Sequence, residues 1–257
     1  MSRAWLGAGQ RAGPGALGVG LVLTLVAGLA AASTAGGCAP APVSLPLAGV
    51  PWLDGETGTY AWLEGGLETG TGTFSQHRVE DGWELRNTTT MGFFEHAGSV
   101  VVDPQTMMPL RSEVRVSGVP TSYEVAAVYG EGRAELTART AQGDRTLSVK
   151  LPKGHHLDND QLLATIRCLP LREGFKLPVN LVNTVGGISL PVPVAVEAIE
   201  ELQLQVAGLD GSTFAAYRVS LLGGQQRAWY TVAAPHVMLR YDNGQRVCEL
   251  REYAPGR

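Results

Sequence analysis

The sequence predicts a mainly β protein in which one antiparallel sheet carries a single short helix. Short runs of alternating apolar and polar residues begin at Gly58 and continue almost to the C-terminus. Such alternation is typical of strands that expose one face to solvent. Clusters of glycine with acidic residues separate the runs, as hairpin turns require. Residues 158–169 are the one segment with clear helical spacing.

The strands of the first half have unambiguous core faces. In residues 110–116, Leu and Val alternate with Arg and Glu, and residues 133–139 and 146–151 repeat this pattern. Turn spacing therefore predicts a meander of roughly eight half-solvated strands. The Thr-Gly-Thr-Gly-Thr run at 69–73 is predicted to be an edge strand, with a bulge or a close backbone approach as the alternative.

The helix is predicted near residues 158–169. Asp158 and Asp160 are candidate N-caps, and Pro170 ends the run. Its apolar side chains recur at helical spacing, at Leu162, Leu163, Ile166 and Leu169. A helix of this kind inside an all-β chain must bury its apolar stripe against the sheet. We therefore expect it to act as a lid or a plug.

Two strands that follow the helix are apolar or aromatic on both faces, at residues 213–222 and 227–233. Such strands must be covered on both sides. One hypothesis is an apolar cleft between the helix and these strands, which would accept a lipid or another apolar small molecule. The other is that the helix does all the covering and leaves a filled core. The residues predicted to line the cleft are Leu162, Leu163, Ile166, Tyr217, Leu221, Trp229 and Tyr230.

The N-terminus has the pattern of an export signal. Two arginines precede an apolar run at residues 16–32, and small residues then lead to Cys38. A retained transmembrane anchor is the alternative, but the run is shorter than the roughly 20 apolar residues that span a bilayer. Ordinary signal-peptidase cleavage near residues 30–32 is a second alternative. Residues 35–38, Ala-Gly-Gly-Cys, resemble the bacterial lipobox, except that Ala35 stands where leucine is usual.

The lipobox resemblance implies that Cys38 is diacylated and becomes the mature N-terminus. We therefore predict a lipoprotein signal peptide at residues 1–37, a proline-rich tether at 38–57 and one antiparallel β domain at 58–257. The protein would lie in the bacterial cell envelope, anchored to the inner or the outer membrane. Loss of Arg3 and Arg11 leaves 18 basic against 24 acidic side chains, a formal charge of −6. This balance argues against a nucleic-acid partner.

Cys168 and Cys248 remain after Cys38 is assigned to the anchor. An exported protein can keep a disulfide between them. The alternative is a pair of buried thiols that pack as small hydrophobic side chains. The sequence leaves both readings open.

The sequence lacks the usual signatures of catalysis. It contains no nucleophile elbow, P-loop or dinucleotide fingerprint, so we expect neither enzymatic activity nor a cofactor. The residues His155, His156, Asp158 and Asp160 form the one cluster of potential metal ligands. Their spacing is not that of known zinc sites, and adjacent histidines before a helix cap are more often solvated. We therefore predict no metal site.

Several short segments of the second half resemble a family of uncharacterised, exported bacterial proteins classed as a domain of unknown function. They are the Leu162-Leu163 helix running into residues 169–174, then 211–214, 228–230 and 238–241. The fold of that family is similar to the open half-barrel of the Lol lipoprotein carriers. The resemblance covers roughly residues 60–253. It implies a curved antiparallel sheet or half-open β-barrel around a short helical lid or plug.

Two main hypotheses for function follow. The first is a membrane-anchored envelope lipoprotein that holds a lipid or another apolar ligand in a half-barrel cleft. The second is an envelope scaffold that binds another protein and has a filled core without a ligand. A third, an enzyme of no recognisable motif, would need convergent polar side chains in a pocket.

Overall fold

The computed structural model describes residues 44–118 and 122–257. The predicted signal peptide, Cys38 and the first part of the predicted tether lie outside the described residues. Within them, fifteen strands form one sheet, and a single short α-helix lies between the ninth and tenth strands.

The strands follow one another with short connections. Their bounds are β1 Glu56–Glu64, β2 Leu67–Val79, β3 Gly82–Met91, β4 Phe94–Val102, β5 Pro109–Ser117, β6 Tyr123–Gly130, β7 Arg133–Thr140, β8 Gly143–Lys150, β9 Leu157–Asp158, β10 Lys176–Asn183, β11 Ile188–Gln203, β12 Thr213–Leu221, β13 Gln226–Thr231, β14 Met238–Asp242 and β15 Val247–Ala254. The helix α1 spans Leu162–Ile166. Short 3-10 turns lie at Asn159–Gln161 and Leu222–Gly224.

The sheet is an open meander with two edges. Its order runs from β8 back to β1, then to β15, and from β15 back to β9. Pairing of β1 with β15 joins the two halves, and β8 and β9 are the edge strands. All neighbours are antiparallel except β9 and β10. The predicted fold class, a curved, non-closed antiparallel sheet with one short helix, is confirmed, as is the eight-strand meander of the first half.

Burial along the strands follows the predicted alternation. In β5, Ser112, Val114 and Val116 are buried, whereas Glu113 and Arg115 between them are exposed. In β7, Ala134 and Leu136 are buried. Leu147 departs from the prediction, since it is 50% exposed. The reason is its place on the edge strand β8, where the residue against it is Gly187, which has no side chain to cover it.

The prediction that residues 69–73 form an edge strand is wrong. They belong to β2, which lies between β1 and β3. The predicted alternative, a close approach of another backbone segment, explains why glycine occupies positions 70 and 72. A Cβ on Gly70 would collide with the carbonyl oxygen of Thr90, and one on Gly72 would lie 2.9 Å from the carbonyl oxygen of Thr88. The β1–β2 register also shifts by a bulge between Trp62 and Leu63.

The helical segment has the predicted N-cap, but α1 itself is shorter than the predicted 158–169 helix, and most of its residues are buried. Asp158 is the N-cap, because its side chain accepts a hydrogen bond from the Asp160 N–H at 2.9 Å. Gln161 returns the contact by accepting from the Asp158 N–H at 3.0 Å, which completes a capping box. Thr165 and Gln161 are buried in the core together with the apolar residues Leu162, Ala164 and Ile166. The helix is therefore a plug rather than a lid.

Part of the predicted tether belongs to the folded domain. Trp52 is buried and packs edge-on against Trp83, with ring centroids 6.2 Å apart. Leu47 and Val50 pack against the same core cluster, and the Ala48 N–H donates to the Cys168 carbonyl at 2.7 Å. The tether boundary at residue 57 is corrected accordingly, since burying a tryptophan side chain outweighs the disorder expected of a proline-rich segment.

Candidate functional site

The predicted apolar cleft is filled by its own side chains. Leu162, Ile166, Leu221 and Tyr230 are each at most 4% exposed. The Tyr230 hydroxyl donates to the Leu163 carbonyl at 2.9 Å, which fixes the plug helix to β13. These side chains occupy the space that the lipid-carrier hypothesis assigned to a ligand.

Of the remaining predicted cleft residues, Trp229 is not brought together with them, whereas Tyr217 lies directly opposite Tyr230 across β12 and β13. Trp229 is next to Tyr230 in β13 and therefore points to the opposite face of the sheet. There its indole N–H donates to Glu200, and the Arg240 guanidinium lies 5.7 Å from its ring centroid. Tyr217 is half-buried, with its ring edge-on to His236 at 5.9 Å. The structure therefore divides the seven residues between two faces.

A buried ion pair holds the end of the plug in place. Arg167 directly follows α1, and its guanidinium lies 2.6 Å from the Glu56 carboxylate. The two side chains are only 6% and 4% exposed. Arg167 also donates to the Pro235 carbonyl and lies over the Trp52 ring. Nothing in the local sequence pattern singled out this pair, because its partners are far apart in the chain.

The predicted histidine–aspartate cluster forms a buried polar group beneath the first-half sheet. Asp158 is fully buried and accepts a hydrogen bond from the Tyr129 hydroxyl. Burial and the nearby charge of Asp160 raise the pKa of Asp158 to about 6. His156 stacks on Tyr129, with ring centroids 5.9 Å apart, and burial lowers its pKa. The interpretation of His156 as solvated is therefore wrong, because the β6 aromatic ring covers it.

Two neighbours complete this cluster. The His96 imidazole Nε2 lies 3.7 Å from an Asp160 carboxylate oxygen. Gly98 leaves room for the same carboxylate, since a Cβ there would lie 3.0 Å from it. Among the described residues, no three side chains of His, Cys, Asp or Glu converge as metal binding requires. The arrangement caps and positions the plug.

Cys168 and Cys248 are both buried free thiols in the structure. Of the two alternatives, the structure thus has the one without a disulfide. Burial raises the pKa of Cys168 to about 12 and raises that of Cys248 well above its ordinary value. Neither thiol is therefore disposed to react as a thiolate.

The outer face of the first-half sheet carries an open groove of about 570 Å³ across β3 to β7. We call it the outer groove. Its floor consists of short side chains, namely Thr88, Ala97, Ser99, Ala126 and Thr137. Its walls are long charged side chains, namely Glu84, Arg86, Glu113, Arg115, Glu124 and Arg139. A second cavity of about 160 Å³ shares Glu84, Ser99 and Glu113 with it.

Charge in the outer groove is balanced. Three arginines face three glutamates, and several pair within the walls: Arg115 with Glu124 at 2.6 Å, and Arg86 with Glu84 at 2.7 Å. Arg139 lies 3.9 Å from Glu124. The strand alternation predicted Glu113, Arg115 and Arg139 on the solvent face. It did not indicate a groove, because the depth of the floor depends on which short residues become neighbours across five strands.

Comparison with known proteins bears on the fold. No family model matches the chain, and no curated protein does. The solved structure of a β-barrel-like protein of the domain of unknown function DUF1849 from Brucella abortus matches with a TM-score of 0.53. The match covers 79% of this chain and 98% of that one, at 10% sequence identity. Within the described residues, no helix is long and apolar enough to span a bilayer. The chain is thus similar to a β-barrel-like domain of unknown function, and at this identity the similarity extends to the fold alone.

Proposed function

We propose that this protein is a non-enzymatic interaction protein of the bacterial envelope, anchored by a lipid on Cys38, that binds a segment of another envelope protein in the outer groove. The observation that carries the proposal is a contrast between two surfaces. The interior positions expected to hold a lipid are packed, whereas the charged outer groove is open and about 570 Å³ in volume. Small-molecule sites have volumes of about 300–1,000 Å³, so the groove has room for a few side chains of a partner segment.

The chemistry of the walls favours a polypeptide of mixed charge. A polyanion would meet three glutamates, and a polycation would meet three arginines. A segment that carries both acidic and basic side chains can exchange the ion pairs within the walls for pairs across the interface. Arg115 and Arg139 are largely exposed, so these contacts remain partly hydrated. Such rim charges govern association rate and specificity more than affinity, and binding should weaken as salt increases.

The proposed anchor fits the ordered start of the domain. Described structure begins at Ser44, and six peptide units separate this residue from Cys38. A fully extended chain of that length spans about 20 Å. The sheet would therefore stay close to the membrane surface. Mass spectrometry of the mature protein should find a diacylated Cys38, and a mature N-terminus elsewhere without lipid would refute the anchor.

Site-specific photo-crosslinking tests the groove. A benzophenone amino acid replaces Ser99 on the groove floor. In a matched control it replaces Thr59 of β1, which lies on the same face of the sheet as Ser99 but outside the groove. We expect one envelope protein to be captured from Ser99 and much less of it from Thr59. The captured segment, mapped by mass spectrometry, should contain both acidic and basic residues. Equal capture at both positions would contradict the proposal.

Charge reversal provides a second test of binding in the outer groove. Arg115→Glu should reduce capture at Ser99, because it places four carboxylates in the walls, whereas Arg172→Glu, on an exposed loop outside the groove, should not. If both substitutions act alike, net charge rather than the groove governs binding. Stoichiometric lipid in the purified protein would instead favour the carrier hypothesis.

A further inference from the structure

β8 is an edge strand with mostly exposed residues, and its Leu147 side chain lies against Gly187 in the turn before β11. β8 pairs with β7 along its whole length, from Thr140↔Gly143 to Arg133↔Lys150. In the sheet order of the described residues it has a neighbour on that side only. Every β8 residue except Val149 is exposed. A long exposed edge of this kind is a template for pairing with another strand.

Hairpin geometry determines which backbone groups face outward. Two residues, 141 and 142, join β7 to β8, so the closing pair Thr140↔Gly143 is a hydrogen-bonded one. Hydrogen-bonded and non-hydrogen-bonded pairs then alternate along the hairpin. The odd-numbered residues of β8 therefore bond to β7. The even-numbered residues, Asp144, Thr146, Ser148 and Lys150, direct their N–H and C=O groups to the free edge.

We propose that two copies of this chain pair antiparallel along β8, with Leu147 on the two-fold axis. In this register Asp144 lies opposite the partner's Lys150, and the symmetry repeats the pair. Thr146 lies opposite the partner's Ser148. All four outward-facing residues form hydrogen-bonded pairs, and Leu147 meets its own copy in a non-hydrogen-bonded pair, where side chains approach closely.

Charge selects this register over its neighbours. A two-fold axis at Thr146 places Asp144 opposite the partner's Ser148 and loses both opposite-charge pairs. An axis at Arg145 sets two guanidiniums against each other, which is destabilising. Leu147 adds an apolar contact, because half of its surface stays exposed beside Leu136 and Gly187. Only the Leu147 axis combines opposite charges with burial of this side chain.

Cysteine crosslinking in cells tests the register directly. The full chain carries Leu147→Cys, or Thr146→Cys as the matched control, and intact cells are treated with a mild oxidant. Cβ atoms in a directly opposed pair lie about 4.5–5.5 Å apart, within reach of a disulfide after small adjustment. We expect a covalent dimer from Leu147→Cys and at least several-fold less from Thr146→Cys. Equal yields at the two positions, or no dimer at 147, would overturn the proposal.

A charge swap tests the same contact without a crosslink. Asp144→Lys and Lys150→Asp should each weaken dimerisation of the purified chain about tenfold, since each creates two like-charge pairs. The double variant should restore it. Sedimentation velocity gives the association state, and circular dichroism verifies that every variant is folded. A wild-type chain that stays monomeric at all concentrations, or a double variant as weak as the singles, would refute the pairing.

Discussion

Replacing Arg167 with methionine should destabilise the domain far more than removal of any surface ion pair. In the structure the Glu56 carboxylate lies 2.6 Å from the Arg167 guanidinium, and the substitution leaves this carboxylate buried without a charged partner. It also removes the hydrogen bonds to the Pro235 carbonyl, at 3.0 and 3.2 Å. Breaking one side of a buried pair typically costs about 3–5 kcal/mol. For a domain of this size, that lowers the unfolding midpoint by roughly 6–20 °C.

Thermal and urea unfolding followed by circular dichroism would measure the loss. Arg111→Met is the matched control, because its ion pair with Asp81 is nearly half exposed on both sides and should contribute no more than about 1 kcal/mol. The double variant Glu56→Leu with Arg167→Met should recover most of the loss, since it removes both buried charges. An Arg167→Met variant as stable as Arg111→Met would refute the reasoning, and so would a double variant less stable than the single.

Three other predictions follow from the buried groups. The pKa of Asp158 is raised to about 6 in the folded state, so the folded state binds one more proton than the unfolded state between about pH 4 and 6. The contribution of Asp158 to stability therefore falls as pH rises through this window. Asp158→Asn should abolish that fall, as measured by urea unfolding at about pH 4 and 7. Gly98→Ala should cost about 1–3 kcal/mol by overpacking against a carboxyl 3.0 Å away, whereas Gly130→Ala, whose nearest atom lies 3.7 Å away, should cost little. Reducing agent should leave the unfolding midpoint unchanged, and an alkylating reagent should label Cys168 and Cys248 only after denaturation; mapping of a peptide that joins them would contradict this.

Features that depend on residues close together in the chain were predicted from the sequence, whereas contacts between residues far apart in the chain were not. Alternation in β5 and β7 identified their core faces, because a strand's side-chain period is local. The capping role of Asp158 was equally local. By contrast, the glycines of β2 make room for β3, and the packing of Trp52 depends on Trp83. Strand β10 was not predicted, since Pro178 interrupts its pattern and faces another proline in β11.

The same distinction explains why the candidate site lies on a different face from the one expected. Strands that are apolar on both faces need a cover on each face, and β12 and β13 have one. On the inner face the plug supplies it through Ile166 and its neighbours. On the outer face, Trp229 is covered by charged side chains of other strands, including Arg240 of β14 and Glu200 of β11.

Long charged side chains can cover apolar surface with their stems while their heads remain paired in water. Arg240 pairs with Glu249 at 2.6 Å, and Arg218 pairs with Glu200 at 2.9 Å, so the cover of Trp229 is itself held in place. An excess of apolar residues therefore did not require a ligand. In the first half the floor of the outer face is instead built from alanine, serine and threonine, so charged side chains surround a depression there rather than an indole. This difference leaves an open groove on the first-half outer face, where the proposed partner segment would bind.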